Sequence, residues 1–215
     1  MSWSDTFFPA NPRRREEVVR LSRELLTLME GNFRATSWLA GLLNQELKIS
    51  VDQHKSVKEN CEALIAAIAG IQSEVARIDE RLRDKLEPAL YRRLHNLTVP
   101  ISERVKVASK VFSSAFGILR TGAAAVPLIS KGAVLSRMVA SLGRIGSSVV
   151  STVALGVLGL GVDMLVSAIL GAVERDNLER VIQEYREALA DFRPASEQYQ
   201  ANITDVIATV KAMQG

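Results

Sequence analysis

The chain has little of what catalytic and metal-binding proteins rely on. Its 215 residues include one cysteine, two histidines and only 5% aromatic side chains. One cysteine excludes an internal disulfide, and His54 and His95 lie far apart on polar helix faces, which is not the pattern of a metal site. The sequence shows no phosphate-binding loop and no nucleophile with a nearby base. We therefore predict a protein that is not an enzyme, uses no cofactor or metal, and has two solvated histidines.

Aliphatic residues dominate instead. Hydrophobic residues make up 47% of the chain, and with so few aromatics they favour helices over sheets. The first residues include Arg13 to Arg15 and lack the apolar run of a signal peptide, so we expect a cytosolic-side origin. The predicted fold class is all-α: an elongated helical bundle or coiled coil of long helices with an apolar helical hairpin.

A first long helix is predicted to begin at Asn11-Pro12, a capping residue followed by a proline that suits the first helical position. Residues on one side then recur at alternating spacings of three and four, which is typical of a coiled coil. We call such a series a heptad line, and here it comprises Val18, Leu21, Leu25, Leu28, Asn32, Ala35, Leu39 and Leu42. Asn32, the polar member, is either a tolerated core residue or a device that fixes the register, and we favour the first interpretation.

A second helix is predicted to start at the capping box Ser50-Val51-Asp52-Gln53 and to end or kink at Pro88. Its heptad line comprises Val57, Cys61, Leu64, Ile68, Ile71, Val75, Ile78 and Leu82. Because Cys61 lies on this line, we expect a small buried residue rather than a nucleophile.

A third long helix is predicted over residues 174–213. Its heptad line comprises Leu178, Ile182, Tyr185, Leu189, Phe192, Ser196, Tyr199, Ile203, Val206 and Val210. An isolated helix would leave this stripe in water, so it is expected to pack on the first two helices. The predicted bundle core comprises Leu64, Ile68, Ile71, Val75, Ile78, Leu189, Phe192 and Tyr199.

Residues 101–144 are basic, with seven cations and one anion spread among small and apolar residues. Nucleic-acid binding prefers a denser cluster on a polar face, whereas cations interleaved with apolar residues suit an anionic membrane surface. We therefore predict that the chain contacts a lipid bilayer and not nucleic acid. The candidate lipid-contacting cations are Lys110, Arg120, Lys131, Arg137 and Arg144.

Residues 145–173 contain Asp163 as their sole charge. As a helix, residues 145–162 would span about 27 Å, close to the roughly 30 Å of hydrocarbon in a bilayer. Such a helix would carry small and polar residues on one face, a pattern typical of helix contacts in membranes. The predicted insertion and helix-contact residues are Ser148, Thr152, Gly156, Gly159, Gly161, Asp163 and Ser167. Asp163 is costly in lipid, and Lys131 is its expected partner. A permanently buried, lipid-free helix is the alternative interpretation.

The predicted organisation is a single domain in three segments. Residues 1–99 form the first two coiled-coil helices, residues 100–173 a basic and apolar membrane-interacting hairpin, and residues 174–215 the third helix. A hairpin keeps all three heptad lines together, so both termini are expected on the same side of a membrane. We predict a membrane location with the helical arms on the cytoplasmic side, with a soluble cytoplasmic form as the alternative.

Several strings resemble the family of single-pass membrane and coiled-coil domain-containing proteins, over nearly the whole chain but least over residues 100–145. These strings are Asn11-Pro12, Arg14-Arg15-Glu16-Glu17-Val18, Lys58-Glu59-Asn60-Cys61, Asp84-Lys85-Leu86-Glu87-Pro88, Leu90-Tyr91-Arg92, and residues 157–164 and 168–174. The resemblance implies a membrane protein with coiled-coil character and without catalytic residues. By architecture alone, long helical arms around an apolar hairpin are also similar to α-helical pore-forming proteins of the cytolysin A type and to apolipoprotein L proteins.

Two functions follow from these patterns. The first is a membrane-inserting helical protein. Its small and polar helix-contact residues, Ser148 to Ser167, which we call the Gly/Ser stripe, drive self-association into a homo-oligomer. In the furthest version of this hypothesis the oligomer forms a pore. The second is a constitutively anchored coiled-coil adaptor that binds a protein partner through residues such as Leu64, Ile68 and Ile71 and uses the apolar segment only as an anchor.

Overall fold

The computed structural model describes residues 10–43, 49–96, 98–100, 103, 106, 133–170 and 175–214. The described part of the chain is mostly helical and contains no β-strand, which confirms the all-α class. Its α-helices are α1 (Asn11–Leu42), α2 (Val57–Lys85), α3 (Pro88–Leu94), α4 (Ala133–Gly146), α5 (Val162–Leu170) and α6 (Arg175–Gln214). Two short 3-10 helices, Val149–Thr152 and Leu155–Gly159, lie between α4 and α5.

Helix α1 begins at Asn11, as predicted. Most of its heptad line is buried, but Leu28, Ala35 and Leu42 are only half-buried. Neighbouring positions are buried in addition, namely Met29, Phe33, Thr36, Ala40 and Leu43. The buried stripe therefore shifts around α1, as expected for a straight helix of 3.6 residues per turn that drifts from a strict seven-residue repeat.

The predicted start of the second helix was wrong, because α2 begins at Val57 rather than at Ser50. Its capping box is Ser56-Val57-Lys58-Glu59. The Glu59 amide donates to the Ser56 hydroxyl over 3.2 Å, and the Ser56 amide donates to the Glu59 carboxylate over 2.8 Å. All eight residues of the α2 heptad line are buried. Helix α2 ends at Lys85, and Pro88 opens α3.

Helix α6 contains its whole predicted heptad line, and all ten of those residues are buried. Pro194 lies inside the helix without ending it. The eight residues predicted as bundle core, including Leu189, Phe192 and Tyr199, are likewise among the buried residues.

The chain forms two compact units. Unit one comprises Met1–Phe33, Ser50–Ile65 and Met138–Ser196, and unit two comprises Arg34–Ile49, Ala66–Arg137 and Glu197–Gly215. Each unit is built from stretches that are far apart in the sequence.

Within unit one, α1 and α6 run in the same direction. The Ser22 hydroxyl donates to the Tyr185 hydroxyl over 2.7 Å, and the Asn32 amide donates to the Ser196 hydroxyl over 2.9 Å. The residue numbers of the two bonded partners increase together along α1 and α6, which happens only when two helices are parallel. Ion pairs at the edges follow the same order: Arg14 with Glu179, Glu17 with Arg186, and Glu24 with Arg193.

Candidate functional site

The apolar segment, residues 145–170, is broken into short pieces. Helix α4 ends at Gly146, the two 3-10 helices follow, and α5 covers nine residues. Among the described residues, no helix is both long enough and apolar enough to cross a bilayer. The expected continuous helix over residues 145–162 is therefore absent from this structure, and the residues of the Gly/Ser stripe do not share one helix face.

The first part of this segment is buried in unit one. Its inward-facing residues are Ile145, Val150, Val153, Leu155 and Leu158, each at most 5% exposed. Leu155 and Leu158 belong to the second 3-10 helix and are completely buried. We call residues 149–159 the strap. The strap is thus buried in this structure, although not as one helix.

The strap is bound to the turn that precedes α2, residues 52–57, which we call the anchoring turn. Ser56 and Ala154 form an isolated antiparallel bridge. The backbone hydrogen bonds between the two stretches run from Val57 N to Val153 O (2.8 Å), from Leu155 N to Lys55 O (2.8 Å) and from Gly156 N to Gln53 O (3.1 Å). The extended residues that interrupt the helix are thus those that pair with the anchoring turn.

Gly156 permits this close approach. A β-carbon at position 156 would lie 3.0 Å from the Gln53 carbonyl oxygen and 3.1 Å from the Gln53 β-carbon. Backbone atoms cannot move aside as a flexible side chain can, so a larger residue would require the strap and the anchoring turn to shift apart by a few tenths of an ångström.

Asn60 organises the anchoring turn. Its side chain is 1% exposed. The Asn60 amide nitrogen donates to the carbonyl oxygens of Asp52 and Ser56, each at 2.9 Å, with that of Lys55 at 3.3 Å. The Asn60 side-chain oxygen accepts the Asp52 amide over 3.0 Å. One buried side chain therefore satisfies backbone hydrogen-bonding groups at both ends of the turn. Asn60 is not among the residues predicted to be functional, since it lies one position before Cys61 and off the heptad line.

The end of the apolar segment is exposed. Leu160 is 39% and Met164 61% exposed, while in α5 only Leu165 is buried. Asp163, in the first turn of α5, is also exposed. Its predicted partner Lys131 lies outside the described residues.

The remaining stripe residues have mixed surroundings. Thr152, Gly159, Gly161 and Ser167 are exposed, whereas Ser148 and Gly156 are half-buried. The Ser148 hydroxyl donates to the Ile145 carbonyl over 2.8 Å and thereby satisfies the end of α4.

The predicted lipid-contacting cations are only partly described. Lys110, Arg120 and Lys131 lie outside the described residues. In unit two, Arg137 donates to Gln198 over 2.8 Å, and in unit one Arg144 pairs with Asp191 at 3.2 Å. Arg144 also lines an open groove of about 470 Å³ with Ser147, Ser148, Glu184, Glu187, Ala188 and Asp191. Carboxylates outnumber the single cation there, so this groove does not resemble an anion site.

His95 was predicted to be a solvated surface residue, but in the structure it contacts a carboxylate. In unit two its Nε2 lies 2.9 Å from the Asp79 carboxylate, which also accepts the Tyr91 hydroxyl over 3.1 Å. The Tyr91 and His95 rings pack with centroids 4.4 Å apart. Desolvation and then the bond to Asp79 raise the pKa of Tyr91. Sequence reasoning missed this contact because α3, a short helix after Pro88, carries both rings back to α2. His54 is exposed, as predicted.

No solved structure matches the chain. A family profile described as "Protein of unknown function (DUF4533)" matches residues 14–168, which include the anchoring turn, Asn60 and the strap. Because the match covers well over half of the 215 residues, the chain belongs to this family.

Proposed function

We propose that this protein is a membrane-associating helical protein whose residues 145–170 move from unit one into a lipid bilayer. The observation that supports this proposal best is the exposed apolar surface formed by Met164 of α5 and by Leu160, just before that helix. Met164 and Leu160 are two of the three large hydrophobic residues that are exposed in the described part of the chain. Burying one such side chain in hydrocarbon is worth about 1.5–3 kcal/mol, so water is a poor final environment for this surface.

Full insertion requires a change of secondary structure. The nine residues of α5 would span only about 13 Å as a helix, less than half of the roughly 30 Å of hydrocarbon. Refolded as one helix, residues 145–170 would reach about 39 Å, which is long enough to cross. The Gly/Ser stripe from Ser148 to Ser167 would then lie on one face and provide a surface for self-association. Asp163 would cost about 2.5–3.5 kcal/mol in the bilayer centre unless it were paired, which favours a homo-oligomer or a hairpin with the basic residues.

The alternative is a constitutively membrane-anchored coiled-coil adaptor that binds a protein partner and has no pore activity. Leu64, Ile68 and Ile71 were the expected contact residues, yet each is fully buried inside the bundle. These three residues are therefore not accessible to a partner protein in this structure. Because its apolar segment is an anchor, the alternative predicts that the purified chain binds vesicles without releasing their contents.

Vesicle flotation tests the proposal. The full chain is mixed with vesicles of phosphatidylcholine containing roughly one third phosphatidylserine, the anionic lipid that attracts basic segments. We expect the wild-type chain to float with the vesicles and Met164→Glu to float less. Trp38→Glu is the matched control, since Trp38 is 50% exposed but belongs to unit two. Dye release from the same vesicles then tests the pore form. Absence of flotation for the wild-type chain would reject membrane association.

A further inference from the structure

We propose that the anchoring turn and Asn60 form an autoinhibitory clasp, which holds the strap in its broken form and limits the release of residues 145–170. This inference rests on the proposed function and names its regulation. The clasp consists of the three backbone hydrogen bonds between strap and turn and the side chain of Asn60 behind them.

The clasp and a continuous helix compete for the same backbone groups. In an α-helix, the amides of Leu155 and Gly156 would donate to the carbonyls four residues earlier, Ser151 and Thr152. In the structure these amides donate to Lys55 and Gln53 instead. The Val153 carbonyl, which a helix would pair with Val157, accepts the Val57 amide. The strap can therefore be clasped or helical, but not both, and this gives the segment two discrete states.

The anchoring turn is rigid enough to act as the fixed side of the clasp. Asn60 holds the carbonyls of Asp52 and Ser56 from within the protein, and the capping box of Ser56 and Glu59 fixes the start of α2. A turn with its polar groups satisfied in this way presents the Gln53 and Lys55 carbonyls in a preformed position. Loss of Asn60 would remove that preformation, because the carbonyls it binds would turn towards other donors or water.

Two substitutions open the clasp by different routes. Asn60→Asp keeps the size of the side chain but replaces an amide donor by an acceptor that faces carbonyl oxygens. Gly156→Ala places a β-carbon against the Gln53 carbonyl. Gly143→Ala is the matched control, since a β-carbon at Gly143 in α4 meets nothing within 4 Å. If Asn60→Asp fails to fold, as judged by circular dichroism, Gly156→Ala alone decides.

The experiment has two readouts on the full-length chain. Hydrogen exchange of residues 153–157 in buffer without lipid reports opening of the clasp, and vesicle titration reports membrane binding. We expect both opening variants to exchange faster and to bind vesicles at about tenfold lower lipid concentration, while Gly143→Ala behaves as the wild type. Faster exchange with an unchanged titration, or no change in exchange, would overturn the clasp as a control on binding. If the wild type and the opened variants all exchange as expected but none binds vesicles, the proposed membrane function fails instead.

Discussion

Asn32 and Ser196 meet inside unit one, where the Asn32 amide donates to the Ser196 hydroxyl over 2.9 Å. Each is the polar member of its heptad line, one on α1 and the other on α6, and each is fully buried. A parallel helix pair that slipped by one heptad would leave both groups facing apolar side chains, so the contact favours one register. The contact therefore favours the interpretation of Asn32 as a register device over that of a merely tolerated core residue.

The first prediction concerns this pair. Asn32→Leu leaves the buried Ser196 hydroxyl without this donor and is expected to lower the free energy of unfolding by about 1–3 kcal/mol. Ser196→Ala in the Asn32→Leu background should recover part of that loss, because both polar groups are then replaced. Urea unfolding of the two single variants and the double variant measures the coupling between them. If Asn32→Leu alone stabilises the chain, the hydrogen bond to Ser196 does not contribute to the stability of the α1–α6 pair.

The heptad lines show how far sequence could predict the fold. All members of the α2 and α6 lines are buried, because an amphipathic stripe requires only local periodicity and a core on one side. The start of α2 was missed because Ser50-x-x-Gln53 and Ser56-x-x-Glu59 both fit a capping box, and the choice depends on what Asn60 binds. The break in the predicted helix over residues 145–162 was missed because the strap pairs with residues about a hundred positions earlier in the chain. Local composition cannot predict such a distant pairing.

The second prediction compares two isoleucines of α2. Ile68 is 0% exposed, whereas Ile65 is half-buried. Truncation of Ile68 to Ala is expected to cost about 2–5 kcal/mol of unfolding free energy, and Ile65→Ala clearly less, because a smaller cavity forms at a partly solvated site. Denaturant unfolding monitored by circular dichroism measures both. Equal losses would mean that the α2 heptad line does not define the buried face.

The third prediction uses the single native cysteine. A β-carbon at Gly146 would lie 3.6 Å from the Cys61 β-carbon, within the range of about 3.5–4.5 Å found in disulfides. We expect Gly146→Cys to form an intramolecular disulfide with Cys61 on oxidation. Gel mobility with and without reductant detects the cross-link.

The matched control for this cross-link is Gly143→Cys, whose β-carbon has no neighbour within 4 Å. Burial raises the pKa of the Cys61 thiol to about 12, so in the wild-type chain the thiol should react with alkylating reagents only after unfolding. An intermolecular dimer from Gly146→Cys, or rapid alkylation of the native chain, would contradict the packing of α4 against α2 in unit one.

The fourth prediction is a dependence on pH at the start of α2. Hydrogen bonds from the Ser56 hydroxyl and then the Ser56 amide hold the pKa of Glu59 below its ordinary value of 4.5, with Lys55 adding to the shift and Asp52 opposing it. A lowered pKa means that this contribution to stability is complete above pH 4.5 and is lost as the pH falls through the pKa of the folded state.

Ser56→Ala removes the hydroxyl that donates to Glu59 and accepts the Glu59 amide. We expect this variant to have a lower unfolding midpoint at neutral pH and a shallower loss of stability below pH 4.5 than the wild type. Thermal unfolding across that range measures the difference. Parallel pH profiles for the two proteins would show that the carboxylate is not coupled to the cap.

The parallel direction of α1 and α6 in unit one has a consequence for biosynthesis. The two helices are joined by contacts more than 160 positions apart, such as Ser22 with Tyr185. Translation adds roughly 5–20 residues per second, so α1, the anchoring turn and the strap all leave the ribosome seconds before α6 is complete. During that interval the most apolar stretch of the nascent chain, residues 145–170, is already present, whereas α6, which forms part of the core of unit one, is still incomplete. Under the proposed membrane function, this is the interval in which residues 145–170 would meet a bilayer before unit one is complete.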